Sequence, residues 1–214
     1  MNKSTILIVL GTAHRMREPG KCSPDGRLKE CIYSRELCKE IAAKLRASGY
    51  KVEIDFTDLD LSKTMQSPSV SLERSRELAM RVNYVNELCR QNGAQNVLYV
   101  SIHCNAAGAD GKWHDARGWQ VHVSTTASKN SKLLADCLFD AAKANGQKMR
   151  QPSIMQKYWP QSLYVLGNTK CPAVLTENLF QDNKTDVDYL LSDAGRHAME
   201  RLHVEGIMKY IEKA

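Results

Sequence analysis

The sequence has no long hydrophobic run, no low-complexity tract and no internal repeat. Its N-terminal apolar run, Ile6–Leu10, is far shorter than the roughly 18 apolar residues that a membrane span requires. Only 6 prolines occur, and no proline- or serine-rich linker divides the chain. We therefore expect no stable membrane insertion, and a single α/β domain that spans residues 1–214.

The N-terminus only superficially resembles a signal peptide. Lys3 precedes the apolar run, but that run is shorter than the roughly 7–15 residues of a usual signal-peptide core. No convincing cleavage site of small residues follows it. We interpret Thr5–Leu10 as the first strand, and we expect the protein to be made in the cytoplasm without a visible signal peptide.

The cysteines lack the spacing of a structural framework. There are 7 of them, an odd number, and none forms a Cys-x-x-Cys pair. Disulfide frameworks and cysteine zinc knuckles normally show even counts or tight pairs. We predict small buried side chains in a protein made in a reducing compartment.

Acidic residues are the minority among the charged ones. The formal net charge is +6 and the isoelectric point is near 8.9, so polyanions will attract the protein. Nucleic acid and anionic cell wall are both candidates by charge. Basic runs interleaved with aromatic residues, which are typical of single-stranded nucleic-acid binders, are missing, and we predict no nucleic-acid partner.

Three predicted strands end at residues that can bind metal or transfer protons. His14 follows the first strand, His103 follows the apolar run that starts at Val97, and Glu177 lies toward the carboxyl end of the predicted strand Pro172–Phe180. Ligands of open α/β sheets bind beyond the carboxyl ends of the strands. These residues are distant in sequence, but we expect them to converge at one sheet edge.

A fourth residue comes from the predicted helix Leu28–Ala47. Its core stripe contains Leu37, Ile41 and Leu45, and the same face includes Glu30 in the first turn. An acid on the core-facing side of a helix is unusual and requires a cation, a capping role or a hydrogen-bond partner. On the strand that starts at Val97, alternation predicts that Cys104 points away from His103 and packs in the core.

The remaining segments carry weaker signals. We predict a helix from a Ser71 N-cap to about Asn92, a surface loop over Met149–Gln161 with large apolar side chains, and a short strand over Leu163–Leu166.

Two histidines and one carboxylate suffice as protein ligands for a catalytic zinc ion, which keeps one position open for water. A second carboxylate would then serve as general base and later protonate the leaving amine. The sequence has no His-Glu-x-x-His pattern. The residues alone also permit a turn histidine at position 14, a helix-dipole partner at Glu30 and a salt-bridged strand end at Glu177.

Three segments resemble the zinc-dependent N-acetylmuramoyl-L-alanine amidases of the Amidase_3 type. They are Leu98-Tyr-Val-Ser-Ile-His-Cys-Asn-Ala106, Ser71-Leu-Glu-Arg74 ahead of an asparagine-containing helix, and Pro172-Ala-Val-Leu-Thr-Glu-Asn-Leu-Phe180. The order of the segments matches too, and the resemblance extends from His14 to the terminal helix.

The resemblance implies that His14, Glu30 and His103 bind Zn²⁺ and that Glu177 is the catalytic acid/base. It also implies a twisted, six-stranded, mostly parallel (mixed) sheet with helices on both faces. The substrate would be peptidoglycan, cleaved between N-acetylmuramic acid and the L-alanine of the stem peptide. Such an enzyme acts on the cell wall, either as a phage-type endolysin or as a secreted amidase from which a signal was removed.

One departure from the family concerns the first histidine. The family usually has Asp-x-Gly-His-Gly-Gly there, whereas Arg15 and Met16 follow His14 here. This change leaves the proposed ligands intact but makes the substrate preference uncertain. Two other functions stay open, namely a zinc carboxypeptidase acting on peptides or stem peptides, and a catalytically silent wall-binding domain.

Overall fold

A six-stranded mixed sheet forms the centre of the molecule in this computed structural model, which describes residues 5–214. Its strand order is β2-β1-β3-β6-β4-β5. The strands are β1 (Leu7–Thr12), β2 (Lys51–Ile54), β3 (Val97–Asn105), β4 (Gln120–Ser124), β5 (Trp159–Gln161) and β6 (Ala173–Phe180). Neighbouring strands run parallel except β4 and β6, which are antiparallel. Lys3, in the signal-like start, lies outside the described residues.

Helices cover both faces of this sheet. They are α1 (Glu30–Ala47), α2 (Val70–Asn92), α3 (Lys129–Ala144), α4 (Tyr164–Asn168), α5 (Lys184–Leu190) and α6 (Asp193–Lys213). Helices α1, α3 and α6 pack on one face, and α2 and α4 pack on the other. The predicted fold class, a mixed and mostly parallel sheet between helices, is confirmed.

Alternation along β3 divides its side chains between the two faces. Ile102 and Cys104 join the core beneath α1, α3 and α6, whereas Val97 and Tyr99 join the core beneath α2. Cys104 is buried, so its predicted packing role is confirmed. His103 lies between two core residues on this strand and therefore projects to the opposite face.

The cysteines of the described chain are all free thiols. Six of them are buried, as predicted, and Cys22 is exposed. The small thiol side chains fill core positions on α1, α2, α3 and β3.

The segment after α3 differs from the sequence prediction. Trp159–Gln161, predicted as part of a loop, pairs in parallel with β4 and forms the edge strand. The run Leu163–Leu166, predicted as a short strand, instead forms the N-cap and the first residues of the short helix α4. A short apolar run does not distinguish a buried strand from a helix turn. Here the helical turn is favoured because it buries Val165 and Leu166 against α2.

Helix α2 begins slightly earlier than predicted. Ser69, rather than Ser71, is the N-cap, and its hydroxyl accepts a hydrogen bond from the Leu72 amide. Among the described residues, no helix has the length and apolarity that crossing a bilayer would require.

His203 is a neutral histidine held at the centre of α6. Its Nδ1 lies 2.7 Å from the Met199 carbonyl oxygen and its Nε2 lies 3.0 Å from the Thr176 hydroxyl. The side chain is fully buried, and this burial lowers the pKa of His203 to about 4.

This depressed pKa predicts a loss of stability in acid. Between pH 6.5 and about 4 the unfolded chain binds a proton at His203 that the folded chain does not, so stability falls as the pH drops through this window. The slope from this residue is at most about 1.4 kcal/mol per pH unit. Urea unfolding at pH 7 and pH 5 should give a smaller difference for His203→Gln than for the wild type. Equal differences would contradict a neutral buried imidazole.

Candidate metal centre

The carboxyl edge of the three central parallel strands brings together the residues singled out in the sequence. His14 lies two residues beyond the end of β1, and His103 lies close to the end of β3. Glu177, on β6, stands directly opposite His103 in the strand register. Strand β6 continues for three more residues to Phe180, so Glu177 precedes its end.

The carboxylate of Glu30 lies between the two histidines. Its Oε1 is 3.1 Å from Nδ1 of His103 and 3.4 Å from Nε2 of His14, and it accepts a hydrogen bond of 3.1 Å from the Cys104 amide. Glu30 begins α1, and side chains of a helix lean toward its N-terminus. The carboxylate therefore reaches back to the sheet edge. The expectation that this buried acid needs partners is confirmed.

These three residues form a group that could hold a metal ion. One potential ligand atom from each of His14, Glu30 and His103 lies within 4.8 Å of the others. The second oxygen of Glu30, Oε2, is buried and has no hydrogen-bond partner among the described residues. Two imidazole nitrogens and a carboxylate oxygen are the donors of many zinc sites, so the residues fit that ion.

The electrostatics of this group are strongly coupled. Burial opposes protonation of His14, but the carboxylates of Glu30 and Glu18 raise its pKa to about 9. Burial works against ionisation of Glu30 too, yet the charge on His14 and the hydrogen bond from His103 keep the pKa of Glu30 well below its usual range. Glu30 is therefore an anion, ready to act as a ligand or as an ion-pair partner.

Glu177 lies close to His14, Glu30 and His103, and one of its carboxyl oxygens makes no hydrogen bond to them. Its Oε2 is buried and has no hydrogen-bond partner among the described residues. Burial, and then the negative charge of Glu30, raise the pKa of Glu177 to about 8. A carboxyl group with a pKa near neutrality is suited to accept a proton and return it.

The backbone at His14 is held in a left-handed conformation, with φ at 45°. This region is uncommon for a residue with a side chain and persists where the surroundings impose it. Here Arg35, on α1, donates hydrogen bonds to the carbonyl oxygens of Ala13 and His14. Ser34 accepts a hydrogen bond from the Ala13 amide and donates one to the Ile102 carbonyl. Consecutive residues of α1 thus fix the approach to both histidines.

A cavity of about 310 Å³ opens over these side chains. His14, His103 and Glu177 contribute to its lining, which continues as an apolar wall on α4 and the residue before it. Lys21 and Arg74 bring positive charge to the same cavity. The catalytic candidates therefore border a space of a size suited to a ligand.

Arg15, which replaces a family glycine, does not line this cavity. It is 1% exposed, and its guanidinium pairs with Glu73 and with Glu77 on α2. Glu77 also pairs with Arg81, which in turn pairs with Asp55 at 2.7 Å. The Arg15 side chain thus packs within a buried ion-pair network beside the site and does not enter the cavity.

Asn178 connects the site to the core behind it. Its side-chain oxygen accepts a hydrogen bond of 2.8 Å from the Trp119 indole. Its amide group donates to the His103 carbonyl at 2.9 Å and to the Thr176 hydroxyl at 3.2 Å. Asn178, Trp119 and Thr176 are each fully buried.

Five residues support the site, but the sequence did not indicate this role for them. They are Glu18, Ser34, Arg35, Arg74 and Asn178. Glu18 lies in a loop broken by proline and glycine, where sequence spacing does not indicate which side chains meet. Ser34 had a weak signal, because it shares the helix face of Glu30.

Comparisons with known proteins identify the family of the chain. The family model described as N-acetylmuramoyl-L-alanine amidase, Amidase_3, matches residues 8–209. The chain belongs to this family. It is also 30% identical over 142 residues to the endolysin of Bacillus phage SPP1, a match that covers 66% of the chain and 50% of that endolysin. The chain thus spans about half the length of this relative.

Solved amidases share the fold. An N-acetylmuramoyl-L-alanine amidase from Clostridium difficile 630 superposes with a TM-score of 0.77 at 18% identity, over 98% of both chains. Ami1 from Mycobacterium smegmatis superposes with a TM-score of 0.73 at 19% identity, over 100% of both chains. At these identities the superpositions establish a common fold.

Replacing Asn178 with alanine should destabilise this amidase-family domain strongly. The change leaves the Trp119 indole N–H and the His103 carbonyl without their partner, at a cost of about 2–4 kcal/mol in the free energy of unfolding. Urea denaturation measures this cost. Asn83→Ala, on the exposed side of α2, is the matched control and should change stability by less than about 0.5 kcal/mol. Equal effects at the two positions would contradict the bridging role.

Proposed function

We propose that this protein is a zinc-dependent N-acetylmuramoyl-L-alanine amidase that hydrolyses peptidoglycan. The bond cleaved is the amide between N-acetylmuramic acid and the L-alanine of the stem peptide. The observation that carries the proposal is the convergence of His14, Glu30 and His103 beneath a cavity that Glu177 also lines, in a chain of the amidase family.

In this proposal His14, Glu30 and His103 are the protein ligands of the zinc ion. The orphaned Oε2 of Glu30 and the short separations between donor atoms support this assignment. When bound there, zinc would polarise the carbonyl of the scissile amide and make a water molecule acidic near neutral pH.

Glu177 is proposed as the general acid/base. Its carboxyl group takes the proton from the attacking water and delivers it to the leaving nitrogen, which becomes the α-amino group of L-alanine. The raised pKa of Glu177 supports this role, because a group near its pKa both accepts and releases protons readily.

We further propose that the enzyme acts on the cell wall as an endolysin does. The similarity to a phage endolysin supports this place of action. The net charge of +6 suits an anionic wall, because it draws the protein to polyanionic surfaces.

Metal analysis tests the ligand assignment. The purified protein should contain about one zinc ion per chain, as expected for a site with three protein ligands. His103→Ala should lose the ion because only two ligands remain. His197→Ala, an exposed histidine on α6, is the matched control and should keep it. Zinc retained by His103→Ala would refute the assignment.

Glu177→Gln tests the acid/base role. Hydrolysis of purified cell walls should fall by about 10²- to 10⁴-fold, the usual contribution of general acid–base catalysis, while zinc content stays unchanged. Glu212→Gln, on the exposed end of α6, is the control and should retain activity. Full activity of Glu177→Gln would show that another group transfers the proton.

The products distinguish the amidase from its rivals. An amidase releases new L-alanine amino termini without free amino acids. Free D-amino acids would instead identify a carboxypeptidase, and binding to walls without any new termini would identify a silent binding domain.

A further inference from the structure

Glu18 contacts the side of His14 that faces away from Glu30. The Nδ1 of His14 lies 3.1 Å from Oε2 of Glu18, whereas Nε2 of the same ring lies 3.4 Å from Oε1 of Glu30. The two nitrogens of one imidazole therefore face two different carboxylates. Because the Glu18 carboxylate accepts a hydrogen bond from Nδ1–H, Nε2 is the nitrogen whose lone pair is available on the inner side.

We propose that Glu18 is a positioning residue for the metal ligand His14, and that Arg74 positions Glu18. This inference rests on the proposed zinc site. Glu18 would hold the imidazole with Nδ1 protonated and Nε2 directed at the ion, and would make the ring a better donor.

The surroundings of Glu18 suit a fixed hydrogen-bond acceptor. Its side chain is fully buried, and its other oxygen, Oε1, accepts a hydrogen bond of 2.7 Å from Nε of Arg74. Nη2 of the same guanidinium forms an ion pair with Oε1, also at 2.7 Å. The guanidinium of Arg15 lies 3.7 Å from Oε2. A carboxylate held from two sides in this way cannot easily rotate away from the imidazole.

This arrangement gives a structural role to the segment Ser71-Leu-Glu-Arg74. Its two charged residues contact the loop that follows the left-handed His14. Glu73 pairs with Arg15, the next residue along the chain, and Arg74 pairs with Glu18. The first turns of α2 thus hold the loop that carries the proposed ligand.

The two histidines differ in their outer partners. His103 has Ser101 beside its Nε2, at 3.1 Å, and this hydroxyl is neutral. His14 has an ionised carboxylate. Carboxylate–histidine–metal arrangements fix the tautomer and raise ligand basicity, and removing the outer partner typically lowers metal affinity by about 10- to 100-fold.

Zinc affinity of the full chain tests the inference, measured by competition with a chromogenic chelator. Glu18→Ala should bind zinc about 10- to 100-fold more weakly than the wild type. Glu18→Gln, whose amide oxygen can still accept from Nδ1, should lie between the two. Glu36→Gln is the matched control, since Glu36 pairs with Arg196 on the exposed side of α1, and its affinity should not change.

A double-mutant cycle tests whether Arg74 acts on zinc binding through Glu18. Arg74→Met keeps the apolar length of the side chain but removes the hydrogen bond and the ion pair with Glu18, and should weaken zinc binding less than Glu18→Ala. If Arg74 acts through Glu18, the double variant should bind zinc as Glu18→Ala does. Additive losses would overturn the role assigned to Arg74.

A spectroscopic readout separates positioning from general stability. In the zinc-loaded wild type, imidazole ¹⁵N chemical shifts should show a protonated Nδ1 and a metal-bound Nε2 at His14. The Nδ1 proton signal should shift or broaden in Glu18→Ala but not in Glu36→Gln. If Glu18→Ala does not fold, Glu18→Gln and Arg74→Met provide the same comparison.

The outcomes distinguish this inference from the proposed function. A wild type that binds no zinc would refute the function, and the inference with it. A wild type that binds zinc, with unchanged affinity and unchanged His14 shifts in every Glu18 variant, would refute the inference alone.

Discussion

Burial of the Glu30 carboxylate is the constraint on which the site depends. A carboxylate that is 1% exposed needs charged or hydrogen-bonding partners, and Glu30 finds them in two histidines and the Cys104 amide. These partners come from the loop after β1 and from β3. The start of α1 must therefore sit at the carboxyl edge of the sheet, and the contacts of the next helical turn with the backbone beside each histidine keep it there.

Around this inner group, further charged side chains form an outer layer, and Glu77 and Arg81 of this layer also line the cavity. Helix α2 contributes Glu73, Glu77 and Arg81, whose partners lie near the ends of β1 and β2. Buried ion pairs offset their desolvation cost only when the geometry is good, and losing one partner is expensive. Such a network contributes little net stability but gives the loop around His14 one preferred arrangement. On the other face, the hydrogen bonds of Asn178 provide a similar constraint for His103.

Much of the fold and the centre of the site could be predicted from local patterns. Apolar runs indicated β1, β3 and β6, and their order implied that His14, His103 and Glu177 would approach one edge, as they do. The helical period placed Glu30 on the buried face. The segment 159–168 could not be assigned this way, because its strand and its helix turn are each too short to show a period, and their partners β4 and α2 lie far away in sequence.

The sequence by itself determined the fold class and the residues at the centre of the site, because these depend on periodicity, strand ends and family motifs. Only the tertiary structure decided which nitrogen of His14 faces Glu30, that Arg15 turns away from the cavity, and that Glu18 and Arg74 meet beside His14. The reason is physical. A pattern shows which face a residue occupies, whereas hydrogen bonds between loops and distant helices depend on the path of a backbone that no local period describes.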